Sequence, residues 1–176
     1  GVFVGPGGTF LMKSGEITGN TARTTVSSYR TYGGGAAVMA GGTFVMTGGK
    51  ISGNEAETGG GGFYIQNGAS VTLNAASSGS GLQITGNFLR KNGVQEQNNL
   101  YFAEDATAFL SGSMAGAEVG VTCEDDYYGR VVFEPSGTNT ISSSDEETFF
   151  YDSGAYDIRL DSFTADEGNL ILRHWT

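Results

Sequence analysis

GGTFVMTGGKISGN, at residues 41–54, repeats a string that stands 34 residues earlier, GGTFLMKSGEITGN at residues 7–20, with nine of the fourteen positions the same. Self-similarity of this kind marks a solenoid, in which one supersecondary unit stacks on copies of itself because a single copy cannot bury its own apolar face. The rest of the chain can be aligned outward from this pair. Val4, Val38, Ile65 and Phe102 close a first short apolar run; Phe10, Phe44 and Val71, each followed two residues later by Met12, Met46 or Leu73, make a second; Ile17, Ile51 and Ile84 make a third. Each run spans three to five residues with period-two alternation, the pattern of a short strand with alternate side chains facing inward. Helical spacing does not compete, and glycine in a helix costs about 1 kcal/mol per residue. Three strands per winding, separated by Gly-rich corners, predict an all-β fold: a right-handed parallel β-helix whose stacked windings align equivalent residues in columns.

Composition agrees with a compact body. Thirty glycines against two prolines, without a strict G-X-Y period, exclude collagen, and 38% hydrophobic residues argue against disorder. The net charge of −10 is unevenly placed: residues 1–122 carry six basic and seven acidic side chains, residues 123–176 three and twelve. No stripe of Lys and Arg is present to neutralise phosphate, so nucleic acid is not an expected partner. No apolar run reaches the length of a membrane span. The single cysteine, Cys123, excludes an internal disulfide and reads as a small buried residue. Gly1 falls in mid-repeat, with GVFVGPGGTF aligning on GAAVMAGGTF at residues 35–44, so the chain reads as a piece of a longer protein, monomeric as a fragment.

Asn20, Asn54 and Asn87 share one register position, each after Ile-(Thr/Ser)-Gly. Asparagine tolerates left-handed backbone angles and bonds its own chain, so these three, with Ile17, Ile51 and Ile84, are read as structural ladders at a corner. Insertions follow that asparagine: TARTTVSSYRTY at 21–32, EAETGG at 55–60 and FLRKNGVQEQNN at 88–99, loops expected on one edge. A smaller insertion, AASSGSG at 75–81, lies at another corner. The repeat fades after Leu100. Residues 1–122 are therefore taken as β-helix repeats and 123–176 as an acidic C-terminal β cap of the same body. In that cap RVVFE at 130–134 reads as a strand, residues 148–160 as a hairpin turning at 152–155, and NLILRHW at 169–175 as a closing strand.

The grammar of Gly-Gly-Gly before an apolar triplet, Gly-Gly-Thr-Phe-x-Met, and Ile-(Ser/Thr)-Gly-Asn resembles the repeats of bacterial secreted and surface-attached, adhesin-like proteins with the pectate-lyase-like right-handed β-helix fold. The resemblance covers residues 1 to about 122. It implies an extracellular, secreted or surface-attached location and a non-enzymatic adhesion or structural display module, whose partner is a host or environmental glycan or protein. The alternative it leaves open is a carbohydrate-active domain, a polysaccharide lyase or glycoside hydrolase.

A lyase of that superfamily implies calcium-binding acids beside an outward Arg or Lys, and a hydrolase needs paired carboxylates about 5 to 9.5 Å apart. The acids of residues 1–122 are scattered mostly singly, so no catalytic residue is assigned and no cofactor is expected. Asp125 and Asp126, an adjacent pair, are the calcium candidates, weighed against a solvated turn because hard cations want six to eight oxygens. Asp145-Glu146-Glu147 reads as solvated too, and His174 has no partner by spacing. The binding candidates are Arg23, Tyr29, Arg30 and Tyr32 in the first insertion and Arg90 and Lys91 in the third, since tyrosines stack on sugar faces while arginines bond hydroxyls or carboxylates. Packing of Tyr29 and Tyr32 onto their own loop is the competing reading. Ice binding through the hydroxyl columns Thr9, Thr43, Ser70 and Thr18, Ser52, Thr85 ranks below both.

Overall fold

The computed structural model describes residues 1–26, 29–75, 81–161 and 168–174, and these are nearly all β, with parallel sheets and one short helix, Ser143–Glu146. The first-run strands Val2–Val4, Ala36–Val38, Phe63–Ile65 and Leu100–Phe102 lie side by side in parallel, with Val4, Val38, Ile65 and Phe102 in one row. Thr9–Met12, Thr43–Met46 and Ser70–Leu73 do the same in a second sheet, aligning Phe10 with Phe44 and Val71, and Met12 with Met46 and Leu73. Glu16–Thr18, Lys50–Ser52 and Gln83–Ile84 align Ile17, Ile51 and Ile84. None of these strands is long enough to stand alone; a strand gains stability only when both its edges are paired and its inward side chains are covered. Phe44, Met46, Ile51, Ile65 and Ile84 are fully buried, each contributing about 1.5 to 3 kcal/mol, whereas Phe10 and Ile17, on strands at the ends of their sheets and covered from one side, are only half-buried.

Parallel pairing does not stop where the repeat fades. Ala108–Leu110 extends the second sheet, and Val131–Pro135 extends it again, parallel to Ala108–Leu110. The run at 130–134, expected as part of a cap, therefore takes the place of a second-run strand without the glycine corners that would identify it. Glu118–Cys123 is the longest strand. Its first residues pair with Gln83–Ile84 and its last with Leu100–Phe102, so the first and third columns join there into one sheet. Insertions separate those two columns in the earlier repeats; no insertion stands between them here.

Two expectations are corrected and a third is refined. Residues 148–160 do not form a hairpin: Phe149–Tyr151 pairs parallel to Glu118–Cys123, while Tyr156–Leu160 pairs antiparallel to Leu170–His174. Local patterning marks the turn but not the partner. Leu170–His174 is the strand expected there and the last in the chain, but it lies between Val131–Pro135 and Tyr156–Leu160, and the latter forms the sheet's edge. The third insertion is not an open loop: Phe88–Lys91 and Val94–Gln97 form a hairpin around Asn92 (φ 53°) and Gly93, and with Thr21–Ala22 and Glu55–Ala56 make a third, four-stranded sheet. Most of the insertion at 75–81, with Trp175 and the side chain of His174, lies outside the described residues.

A line of amides runs across successive repeats. Asn20 donates its backbone N–H and its Nδ2 to Asn54 Oδ1, both at 2.9 Å; Asn54 does the same to Asn87 Oδ1, and Asn87 to Asn99 Oδ1. Each Nδ2 also reaches backbone carbonyls, as Asn87 reaches Ile51 and Thr85. The last acceptor is Asp152, whose two carboxylate oxygens take the Asn99 backbone N–H and Nδ2, at 2.7 and 2.6 Å, and the Thr122 hydroxyl. Room for this line comes from glycine. A Cβ on Gly62 would stand 2.6 Å from the Asn87 side chain, and one on Gly120 would collide with Asp152 and Asn99.

Candidate binding face

In the first column, alternate residues face outward, so Phe3, Ala37, Tyr64, Tyr101 and Thr122 stand in one outer row. Ala37 leaves a gap in it. Tyr32, carried by the first insertion and fastened by a bridge to Gly59, fills that gap and stacks on Tyr64 with ring centroids 4.3 Å apart and planes at 27°. Tyr64 in turn stacks on Tyr101 at 5.9 Å and 18°. With Ala37, Ala103 and Met39 these rings form a small apolar cluster on the outside of the sheet, separate from the main core. Aromatic pairs of this geometry are worth about 0.5 to 1.5 kcal/mol each beyond their burial. Burial pushes the Tyr64 phenol up to about 12, with Tyr32, Glu124 and Glu104 adding to it, and raises Tyr101 as well, with Glu124 the next contributor.

Three hollows follow the stack and share its residues. The first, about 430 Å³, lies over Ala37 between Phe3, Tyr32 and Met39, with Arg23 and Arg30 at its rim. The second, about 580 Å³, is polar and is lined by Arg30, Tyr32, Tyr64, Gln66, Glu104 and Glu124. The third, about 520 Å³, lies beyond Tyr101 and includes Glu96, Glu124, Asp126, Tyr151 and Asp152. Arg30 and Tyr32 belong to the first two, and Glu124 to the last two. The face therefore runs from guanidinium groups at one end to carboxylates at the other.

Of the candidates taken from sequence, Arg30 and Tyr32 lie on this face and Arg23 lines its first hollow; Arg30 Nη1 donates a 3.5 Å hydrogen bond to the Tyr32 hydroxyl, which with the phenol's charge raises the Arg30 pKa. Arg23 and Arg90 are drawn together differently. Both ion-pair with Glu55, at 2.5 and 2.7 Å, and Gln95 donates to it as well, so one carboxylate ties three insertions. The hydrogen bond from Arg23 leads the causes that hold Glu55 down at about 2, ahead of Gln95 and Arg90 and against the opposing effect of burial. Tyr29 is exposed, Lys91 sits at the exposed end of the hairpin, and neither lines any of the three hollows.

Sequence reasoning missed Tyr64, Tyr101, Glu55 and Asp152. The tyrosines had a signal, since Phe-Tyr-Ile and Leu-Tyr-Phe place a tyrosine at the outward position of two aligned strands. Glu55 and Asp152 had none, because their partners come from positions 30 or more residues away. Burial raises the Asp152 carboxyl despite its three donors, and pushes the Cys123 thiol up to about 12, which leaves that sulfur unreactive. Asp126 accepts from Tyr151 at 3.5 Å through its carboxylate and from Tyr156 at 3.0 Å through its carbonyl. Among the described residues, no three His, Cys, Asp or Glu side chains are grouped to hold a metal ion, and no helix is long and apolar enough to cross a membrane. Comparison of the chain with family profiles, with curated proteins and with solved structures finds no match.

Proposed function

We propose that this chain is part of a right-handed parallel β-helix of the kind carried by secreted and surface-attached bacterial proteins, and that it serves outside the cell as a non-enzymatic adhesion or display module. Its ligand in this reading is a glycan laid along the tyrosine face. The observation that carries the proposal is the continuity of the three hollows over Tyr32, Tyr64 and Tyr101, where aromatic surface, amides, carboxylates and a guanidinium group alternate. Hydroxyl-rich rings need that mixture, because apolar ring faces want aromatic surface and hydroxyls want both donors and acceptors. Hollows of this size suit ligands of a few rings.

Binding of the protein to a glycan array, followed by titration of whatever binds, tests the reading. Tyr32→Ala and Arg30→Ala should each weaken binding by about tenfold, equivalent to about 1.4 kcal/mol, with thermal unfolding nearly unchanged in Arg30→Ala and lowered by a few degrees in Tyr32→Ala, which also loses its stacking on Tyr64. An array on which the wild type binds nothing sinks it, as does a Tyr32→Ala protein that binds as well as the wild type.

One observation favours a carbohydrate-active domain instead: Asp152, a carboxyl raised by burial, shares a hollow with Glu124 and Asp126, and a raised carboxyl is what a general acid requires. Release of reducing or unsaturated ends from a polysaccharide panel, abolished by Asp152→Asn, would favour that reading over adhesion.

A further inference from the structure

Arg130 is buried, yet among the described residues no ion pair joins its guanidinium to a carboxylate. Its partners are backbone oxygens. Nη1 donates to the carbonyl of Asp125 at 2.6 Å, Nη2 donates to the carbonyls of Glu104 and, at 3.4 Å, Ala106, and Nε has no partner. Two corners of the chain, at 104–106 and at 125, thus turn carbonyl groups toward one positive charge. Glu104 adopts a left-handed φ of 37° while doing so, a conformation that a residue with a side chain takes up at a cost. These corners also carry Glu104, Asp105, Glu124, Asp125 and Asp126, like charges whose crowding disfavours the arrangement unless a cation sits among them. Carbonyl oxygens gathered from separate loops are what hard cations use as ligands. Arginine suits the position because its charge is permanent and its planar fork donates in several directions at once.

We infer that Arg130 is the built-in cation of this fold, its guanidinium holding the place between the two acidic corners that a metal ion would hold, and thereby positioning the acidic end of the tyrosine face. The last clause rests on the glycan-binding reading, and the first does not. Without the guanidinium, the corners keep their carbonyls turned inward and accept a small guanidinium ion, or a divalent cation, from solution.

Arg130→Ala should lower Tm by roughly 6 to 20 °C, as expected for removing a buried charge from its hydrogen-bonding partners. Methylguanidinium chloride at millimolar concentration should return at least half of that shift in the variant and leave the wild type unmoved, while sodium chloride at the same concentration returns none. Calcium chloride acting like methylguanidinium on the variant also supports the inference. An Arg130→Ala protein as stable as the wild type overturns it, and so does rescue by sodium chloride equal to that by methylguanidinium. Should the alanine variant fail to fold, Arg130→Lys and Arg130→Met decide: lysine keeps a charge and should be the more stable, and methionine matching or exceeding lysine sinks the inference. A wild type that binds no glycan removes the groove reading and leaves the rescue assay intact.

Discussion

Up to residue 122 the buried polar side chains are neutral asparagines, Asn54, Asn87, Asn98 and Asn99; beyond it they are Arg130, Asp145, Thr148 and Asp161, three of them ionisable. The difference follows from what each group can do in a chain of hydrogen bonds. An amide accepts from one neighbour and donates to the next, so it can be set rung after rung. A carboxylate only accepts and a guanidinium only donates, so either one ends the line. Asp152 ends the asparagine ladder, Asp145 takes the backbone N–H groups of Met114 and Ser142, and Arg130 closes on three carbonyls. Stacking by likeness and termination by charge are therefore two chemistries, and each should fail when moved to the other's place.

Placing a terminator in the middle is the severest exchange. Asn87→Asp puts a carboxylate against the carbonyls of Ile51 and Thr85 and Oδ1 of Asn99, all now facing an acceptor, and should cost about 3 to 5 kcal/mol in urea unfolding, with part of the loss recovered at low pH where the acid is protonated. A variant of wild-type stability would show that the amide line is not what holds the repeats together. The reverse exchange should be mild. Asp152→Asn keeps one oxygen for the Asn99 donors, as in every other rung, and the Thr122 hydroxyl can turn to accept, so a loss within about 1 kcal/mol at pH 7 is expected. Its pH dependence carries the sign. Because the folded carboxyl titrates above its ordinary value, the stability it contributes is present below about pH 4 and fades as pH rises through the folded value, and Asp152→Asn should remove that slope.

Glu55 supplies an effect of similar size and the opposite slope. Its folded value of about 2 lies below the ordinary 4.3, so its contribution is present above about pH 4 and is lost as pH falls toward 2. Arg23 is more than half exposed and Arg90 more than a third, so solvent screens the pairs, and Glu55→Gln should cost about 1 kcal/mol at pH 7. Added salt should shrink that difference, which differential unfolding with and without 0.5 M salt, roughly twice-shortening the screening length, can measure.

The periodic part was the part legible in sequence. Ile17, Ile51 and Ile84 align because a column of like residues repeats its own signal, and GGTFVM marks its strand wherever it recurs. The terminating part repeats nothing. Val131–Pro135 continues a sheet and buries Val132 and Phe133 without the glycine corners that mark the earlier strands, and Phe149–Tyr151 pairs with Glu118–Cys123 rather than with the strand just after it, a choice made by contacts distant in sequence. The candidate site was half legible for the same reason. Arg30 and Tyr32 stand out as an aromatic and a cation in an insertion, whereas the ring that Tyr32 rests on belongs to the next repeat and is known only once the register is. Arg23 and Arg90 look like free cations until Glu55 is seen between them.

Val4 to Val38, Val38 to Ile65 and Ile65 to Phe102 are separated by 34, 27 and 37 residues, yet each pair sits in register, because the differences in length fall at the corners, after Asn20 and Asn54 in the first two spacings and in the insertion at 75–81 and after Asn87 in the third. Gene duplication or deletion of one unit would then add or remove one strand, about 4.8 Å, in each of the parallel sheets. The number of such strands becomes something duplication can tune, whereas the pairing of Asn99 with Asp152 has to arise only once.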